Sequence, residues 1–297
     1  MYEVCRIERG YRMLCCRIIF QDGGALAQGL GDFSLPDTLD CGQCFRWNPA
    51  PEEENTYQGI ALGHPLKITC QGEGEFFFHN TTEEEFYRLW APYFDLYQDY
   101  NTVKRQLCQD PVLEDAAQYA PGIRVLRQDG WEALCSFIIS QNNNIKRIKG
   151  IVERLCQCFG TPLEGGGYAF PTAQQMAGLT VEDLAPLRCG FRAKYLIDAA
   201  QKVAQGTVDL GTLGELPYQE AKEYLMQIKG VGPKVADCAL LYGFYRLEAF
   251  PMDVWMKRAM AQLFPQGLPE CAKEYGGIAQ QYIFHYARTS GCLGEGK

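Results

Sequence analysis

Along the first 80 or so residues, short apolar runs alternate with turns rich in Gly, Pro, Asn and Glu. Tyr11 to Phe20, Thr56 to Leu62, Leu66 to Cys70 and Glu75 to His79 are β-prone runs of this kind, which predicts an antiparallel sheet. The period then changes. Thr81-Thr82-Glu-Glu-Glu85 has the spacing of a capping box ahead of a helix over Phe86 to Phe94, and Asp95 to Asp99 reads as a break. From Val103 onward almost every segment carries helical spacing. Asp129 to Ser140 is apolar enough to predict a buried helix, Lys146 to Phe159 is amphipathic, and Gly165-Gly-Gly167 is a loop. Ala173 to Met176, Val181 to Ala185 and Ala193 to Ala204 continue the helical pattern, and residues 217 to 228 place Ala221, Leu225 and Ile228 on one face. The expected fold is α+β with its strands first, divided near residue 115 into units of residues 1–115 and 116–297.

The chain is organised around residues 222 to 258. Gly230-Val-Gly232-Pro233 stops one helix and starts another, giving a helix-hairpin-helix. The two glycines allow a tight turn and close approach of a partner, Pro233 suits the first helical position, and the unpaired N–H groups there form an anion site that a DNA phosphate would fill. Lys234 falls in the first turn, where the positive end of the macrodipole favours a neutral, nucleophilic amine. Nineteen residues on, Asp253 follows Pro251 and opens another helical stretch, so its carboxylate is either an N-cap or a group aimed at the same cleft. An amine and a carboxylate can then share one site.

These residues also carry a resemblance. Gly230-Val-Gly-Pro-Lys234-Val-Ala-Asp-Cys238, with Pro251-Met-Asp253-Val, resembles the hairpin and catalytic aspartate of helix-hairpin-helix DNA glycosylases, and within them the 8-oxoguanine DNA glycosylase/AP lyase family. The resemblance covers nearly the whole chain. It implies an N-terminal antiparallel, TBP-like β domain followed by an all-α glycosylase domain. It also implies extrusion of 8-oxoguanine from opposite cytosine, attack of Lys234 on C1′ with help from Asp253, and a Schiff base that permits β-elimination. Alternatives on the same fold are a monofunctional glycosylase for alkylated bases, which uses water, and a hairpin protein that only binds DNA.

Further segments acquire roles by the same resemblance. Gly42-Gln-Cys-Phe45-Arg-Trp47 looks like the family's Gly-Gln-x-Phe-Arg-Trp segment, in which the glycine carbonyl accepts the N7–H that 8-oxoguanine has and guanine lacks. A site built on such a bond discriminates by several kcal/mol, on the order of 10⁴-fold. Gln280 would read the base's Watson–Crick edge, Phe284 would stack on it opposite Cys238, and Pro251 and Asp253 would complete the base site. Asn142-Asn-Asn-Ile-Lys-Arg147 and Cys189-Gly-Phe191-Arg192 resemble the segments that read the orphaned cytosine, with Asn142, Arg147 and Arg192 as readers and Phe191 as a wedge. Ordinary core is the lesser alternative for Phe191, while an amphipathic core helix explains Phe284 equally well. The amides of Gly230 and Gly232 would hold phosphate, and Trp255 stands where eukaryotic relatives often carry a phosphate-contacting histidine.

Composition changes this picture in three places. A net charge of −8 argues mildly against nucleic acid, unless the basic residues are gathered. They are: Lys146, Arg147, Lys149 and Arg154 form one group and Lys229, Lys234, Lys257 and Arg258 another, while acidic residues cluster at Glu52 to Glu54 and Glu83 to Glu85. Fourteen cysteines without an export signal fit reduced thiols, and Cys41-Gly-Gln-Cys44 has no second pair to complete a metal site. The end of the chain carries only Cys271 and Cys292, too few for an iron–sulfur loop. No metal or cofactor is expected, a monovalent cation at the hairpin being compatible with the resemblance. The apolar stretch Met13 to Phe20 is too short to span a bilayer, so no membrane is expected. The expectation is a monomeric, cytoplasmic, nucleoid-associated protein of bacterial origin whose partner is double-stranded DNA containing 8-oxoguanine opposite cytosine.

Overall fold

The computed structural model describes residues 4–7, 10–13 and 15–294. Among the described residues, strands β1 (Val4–Ile7) and β2 (Gly10–Met13) pair only with each other. Strands β3 (Arg17–Gln21), β4 (Gly24–Gln28), β5 (Trp47–Pro49), β6 (Thr56–Ala61), β7 (His64–Gly72) and β8 (Glu75–His79) form a six-stranded sheet in the order β3-β4-β8-β7-β6-β5. Every neighbouring pair is antiparallel. Local chemistry sets the hairpins: Leu62 and Gly63, between β6 and β7, both take positive φ (53° and 76°), as a two-residue turn that matches strand twist requires.

The run Tyr11 to Phe20 is not one strand. It divides at Cys15 and Cys16 into β2 and β3, which belong to different sheets, and Leu14 lies outside the described residues. The pattern also hid β4, because Gly-Ala-Leu-Ala-Gln has little β propensity. Its small residues are needed for packing: a Cβ on Gly24 would lie 2.0 Å from the Phe78 carbonyl oxygen. Val181 to Ala185 likewise makes turns and the short 3₁₀ segment Ala185–Leu187, since Pro186 cannot extend an α-helix.

Ile18, Ala25, Ala27, Ile68, Phe76 and Phe78 pack from the sheet onto Phe86, Trp90 and Phe94. The helical segment carrying those aromatics starts at Thr82, whose side chain and that of Glu85 cap each other's backbone N–H as the sequence predicts. The remaining helices enclose a second core. Its centre is the pair Gly130–Ser140 and Pro233–Phe244, where Phe137 stacks on Tyr242 with ring centroids 5.2 Å apart. The two backbones meet at Gly130 and Gly243, where a Cβ on Gly243 would lie 2.9 Å from the Gly130 Cα.

A buried carboxylate joins the two cores. Asp95, fully buried, accepts from Arg127 (2.6 Å and 3.0 Å), Tyr100 (3.0 Å) and Tyr245 (2.6 Å). Tyr245 follows directly on the helix Pro233–Phe244. Because each oxygen has good partners, the cost of burying this charge is offset and the contact fixes register between the sheet side and the hairpin helix. A second tie is Gln43, which donates to the carbonyls of Thr38 (2.9 Å) and Arg124 (2.7 Å) and accepts from the Leu126 N–H (2.9 Å). The loop bearing Gly42 is thereby held against the helical core.

A candidate active site between the Gly42 loop and the hairpin

The hairpin forms where the glycine spacing predicts it. Gly230 has φ +81°, which excludes most other residues, and a Cβ there would lie 2.4 Å from the Tyr195 ring. Gly232 is the N-cap of the helix Pro233–Phe244, with Pro233 in its first turn. Lys234 is half-buried, its Nζ 3.3 Å from the Ser140 hydroxyl and 5.4 Å from the centre of the Phe137 ring. Ser140 donates its own proton to the Phe137 carbonyl at 2.8 Å, so a lone pair is left to accept from the amine. One turn along, burial pushes the Cys238 thiol up to about 11 despite the lowering effect of Lys234, so near neutral pH it is an uncharged, polarisable wall.

Asp253 is both things the sequence allowed. Its Oδ1 accepts from the Met256 N–H at 2.8 Å as the N-cap of Val254–Leu263, and its side chain also lines the cleft containing Lys234. Among the described residues the two groups form no ion pair; they face the same space. Gln280, 4% exposed, donates to the Pro251 carbonyl at 3.3 Å, and among the described residues its Oε1 has no hydrogen-bond partner.

The site has two compartments. The inner one is a cavity of about 50 Å³ walled by Gly42, Lys234, Cys238, Pro251, Asp253, Gln280 and Phe284, together with Cys41, Phe137, Tyr242 and Gln281. It has room for a few waters, not a purine. The outer one is a cleft of about 290 Å³ that shares Gly42, Lys234, Asp253 and Phe284 and continues past Asn144, Trp255 and Arg288. Phe284 lines both compartments. A larger groove of about 870 Å³ lies between β6–β8 and the Gly165–Gly167 loop, but it holds none of the predicted site residues.

Gly42 has φ +94°, and a Cβ added there would meet Ile145 at 3.4 Å. Gly42→Ala is therefore expected to cost ~1–2 kcal/mol of stability, checked by thermal unfolding; an unchanged midpoint would show that the loop relaxes at no cost.

A second group begins at the outer cleft, which Asn144 lines. Asn142 is exposed at φ +46°, and Asn144 caps the helix Ile145–Phe159. Arg192 is 2% exposed and lies beneath the loop, donating to the carbonyls of Gln141 (2.9 Å), Asn142 (2.9 Å) and Cys189 (3.1 Å). Arg147 is exposed and donates to the Arg188 carbonyl at 3.1 Å. Burial and the neighbouring Arg147 guanidinium both lower the Arg192 pKa, and among the described residues neither arginine has a carboxylate partner. The group is cationic, with Arg147 at the surface and Arg192 beneath it. Phe191 is 48% exposed with Arg192 against its ring at 4.5 Å, which sets aside the core reading.

The predicted basic groups are thinner than they read. Lys149 is turned to the Trp47 carbonyl (2.6 Å) and Asp40 (3.0 Å), and Arg154 to the Leu187 carbonyl (2.8 Å). Lys146, Arg147, Lys229, Lys257 and Arg288 remain exposed. Arg288, Tyr242 and Gln281 were not singled out from sequence. No local motif marks them; they reach the site through the packing of the helices Pro233–Phe244 and Gly276–Thr289.

A glycine-turned hairpin, a lysine in the first turn of its second helix and an aspartate on the same cleft define a DNA glycosylase of the helix-hairpin-helix class. Residues 135–269 match the HhH-GPD superfamily of base excision DNA repair proteins, and residues 25–134 match the N-terminal domain of 8-oxoguanine DNA glycosylases. The structure is similar to that of MBOgg1 in complex with a low-affinity DNA ligand (42% identity, TM-score 0.86, 93% of this chain and 99% of that one). It is also similar to the Clostridium acetobutylicum 8-oxoguanine glycosylase/lyase bound to DNA containing cytosine opposite 8-oxoG (38% identity, TM-score 0.85, 93% and 98%). The N-glycosylase/DNA lyase OGG1 of Arabidopsis thaliana is 30% identical over 284 residues, 88% of this chain and 75% of that protein. The chain belongs to the OGG-like 8-oxoguanine DNA glycosylase family of the HhH-GPD superfamily. Among the described residues no helix is long and apolar enough to cross a membrane.

Proposed function

We propose that this chain is a bifunctional DNA repair enzyme that flips 8-oxoguanine out from opposite cytosine, cleaves its N-glycosidic bond and nicks the resulting abasic site. The observation that carries this reading is Lys234 and Asp253 facing one cleft whose inner wall is formed by Gly42, Cys238, Gln280 and Phe284. A monofunctional glycosylase needs no lysine there, and a hairpin that only binds DNA needs no such pocket.

In the proposed reaction the extruded base enters as the Phe284 ring turns, and stacks between that ring and Cys238. The Gly42 carbonyl accepts its N7–H, and Gln280 Oε1, otherwise unpartnered, accepts from its Watson–Crick edge. As the bond from C1′ to N9 breaks, its electron pair leaves with the base, and the Asp253 carboxylate stabilises the positive charge on the sugar. The Lys234 amine forms the new bond to C1′. Opening of the sugar ring gives a Schiff base; loss of a C2′ proton then expels the 3′ phosphate by β-elimination. The amides at Gly230 and Gly232 hold backbone phosphate, and Trp255 with Arg288 borders the outer cleft. A cytoplasmic, nucleoid-associated location follows from this substrate.

Recognition of the orphaned cytosine falls to Asn142 and Arg147 directly. Arg192 supports them by holding the carbonyls of Gln141 and Asn142, with Phe191 as the wedge. Arg147→Ala is expected to weaken the preference for cytosine over adenine opposite the lesion by roughly 10-fold or more, the scale of one good base contact, and Arg192→Ala to weaken it indirectly, by releasing the Gln141 and Asn142 carbonyls that position the reading loop. Single-turnover excision from the two duplexes measures this. Retention of the full preference by both variants would remove the arginines from recognition.

A further inference from the structure

Gln280 and Gln281 are consecutive on the helix Gly276–Thr289, about 100° apart around its axis, yet both line the inner cavity. Gln281 is 1% exposed. Its Oε1 accepts from the Tyr242 hydroxyl at 2.5 Å, and among the described residues its Nε2 has no oxygen or nitrogen acceptor, the Cys41 sulfur being the one weak acceptor it faces. An amide donor left with a thiol at this depth costs free energy unless something stronger completes it.

The direction of that amide follows from its surroundings. The Gln281 side chain adjoins Cys41, whose S–H already donates to the Thr38 carbonyl at 3.2 Å and whose sulfur faces the Gln43 amide at 3.5 Å. Cys41 thus has no proton to give, so the side of Gln281 turned toward it and the cavity is the NH₂. Tyr242 stays protonated, burial having raised its pKa well above the ordinary value, and its proton fixes the opposite side of the amide as the acceptor. Cys41 precedes Gly42, so the free donor lies on the cavity wall beside the glycine.

We propose that Gln281, oriented by Tyr242, is a specificity residue that donates a hydrogen bond to the 6-keto oxygen of the flipped base. The proposal rests on the reading of this cavity as the base pocket. Around one side of 8-oxoguanine the groups run N7–H donor, O6 acceptor, N1–H donor. The cavity presents the complement: the Gly42 carbonyl as acceptor, Gln281 Nε2 as donor, Gln280 Oε1 as acceptor. An 8-oxidised purine with a 6-amino group keeps the first match and reverses the other two. The pair Tyr242–Gln281 would therefore select 6-oxo over 6-amino purines among bases that already carry N7–H, which the Gly42 carbonyl cannot do alone.

The test compares 8-oxoguanine with 8-oxoadenine, each opposite cytosine, in wild type, Gln281→Met and Tyr242→Phe. Two readouts are used: single-turnover excision, and binding of duplexes whose lesion is made uncleavable by a 2′-fluoro group. Gln281→Met keeps the volume and removes the donor; it should lower excision of 8-oxoguanine by roughly 10–100-fold, leave 8-oxoadenine within about threefold, and collapse the preference in both readouts. Tyr242→Phe frees the amide to rotate and should lose about 3–10-fold of the preference, which keeps the proposal testable if the methionine variant fails to fold. A folded variant with the preference unchanged within about twofold overturns the role of Gln281 while leaving the enzyme assignment intact. Preferential binding of the 6-oxo lesion that depends on Gln281, without excision of either base, sustains the role and refutes the catalytic reading. Absence of both excision and discrimination overturns both.

Discussion

Lys234→Gln is expected to abolish strand nicking and to slow excision of 8-oxoguanine by on the order of 10³-fold or more, while binding to the lesion duplex persists. The amine is the only group proposed to bond to C1′, and glutamine, one bond shorter, keeps polarity without a basic nitrogen. Folding should be little affected. The lysine is half-buried, its polar contact is the Ser140 hydroxyl at 3.3 Å, and a glutamine amide can still donate in that direction. Single-turnover rates, a nicking assay and thermal melting separate the outcomes. A folded variant that excises the base normally but no longer nicks would mean that water, not Lys234, displaces the base.

Asp253→Asn is expected to slow base excision by roughly 10²-fold or more with an almost unchanged melting temperature. The substitution is informative because Asp253 performs two tasks that this change separates. Capping of Val254–Leu263 uses Oδ1 as the acceptor for the Met256 N–H, which an asparagine oxygen replaces nearly as well. Stabilising positive charge on the sugar requires the negative charge, which asparagine lacks. A folded variant working within about threefold of wild type would leave Asp253 only its capping task and Lys234 without an electrostatic partner.

What could be read from the sequence follows physical locality. Thr82 and Glu85 find each other three residues apart, and the turn at Gly230 is dictated by the glycine itself, so both were visible in the chain. The strand Gly24–Gln28 was not, because its reason for being extended is pairing with Glu75–His79, some fifty residues on. The site divides the same way. Lys234, Asp253, Gly42, Gln280 and Phe284 sit in recognisable runs, and the fold gathers them around one cleft. Tyr242 has no run to mark it, and Gln281, though it sits between Gln280 and Phe284 in theirs, matters through a bond to Tyr242 on another helix. Lys149 and Arg154 looked like DNA contacts by charge, yet neighbouring carbonyls already engage them, which sequence spacing does not report.

The central claim is that the Lys234 amine becomes covalently joined to the sugar of an 8-oxoguanine nucleotide. Borohydride trapping of the wild-type chain on an 8-oxoguanine:cytosine duplex tests it most directly, since reduction fixes a Schiff base as a stable amine. A single protein–DNA adduct is expected, its modified residue after digestion being Lys234, with no adduct on a guanine:cytosine duplex. Excision of the base without any adduct, or an adduct mapped to another lysine, would contradict it.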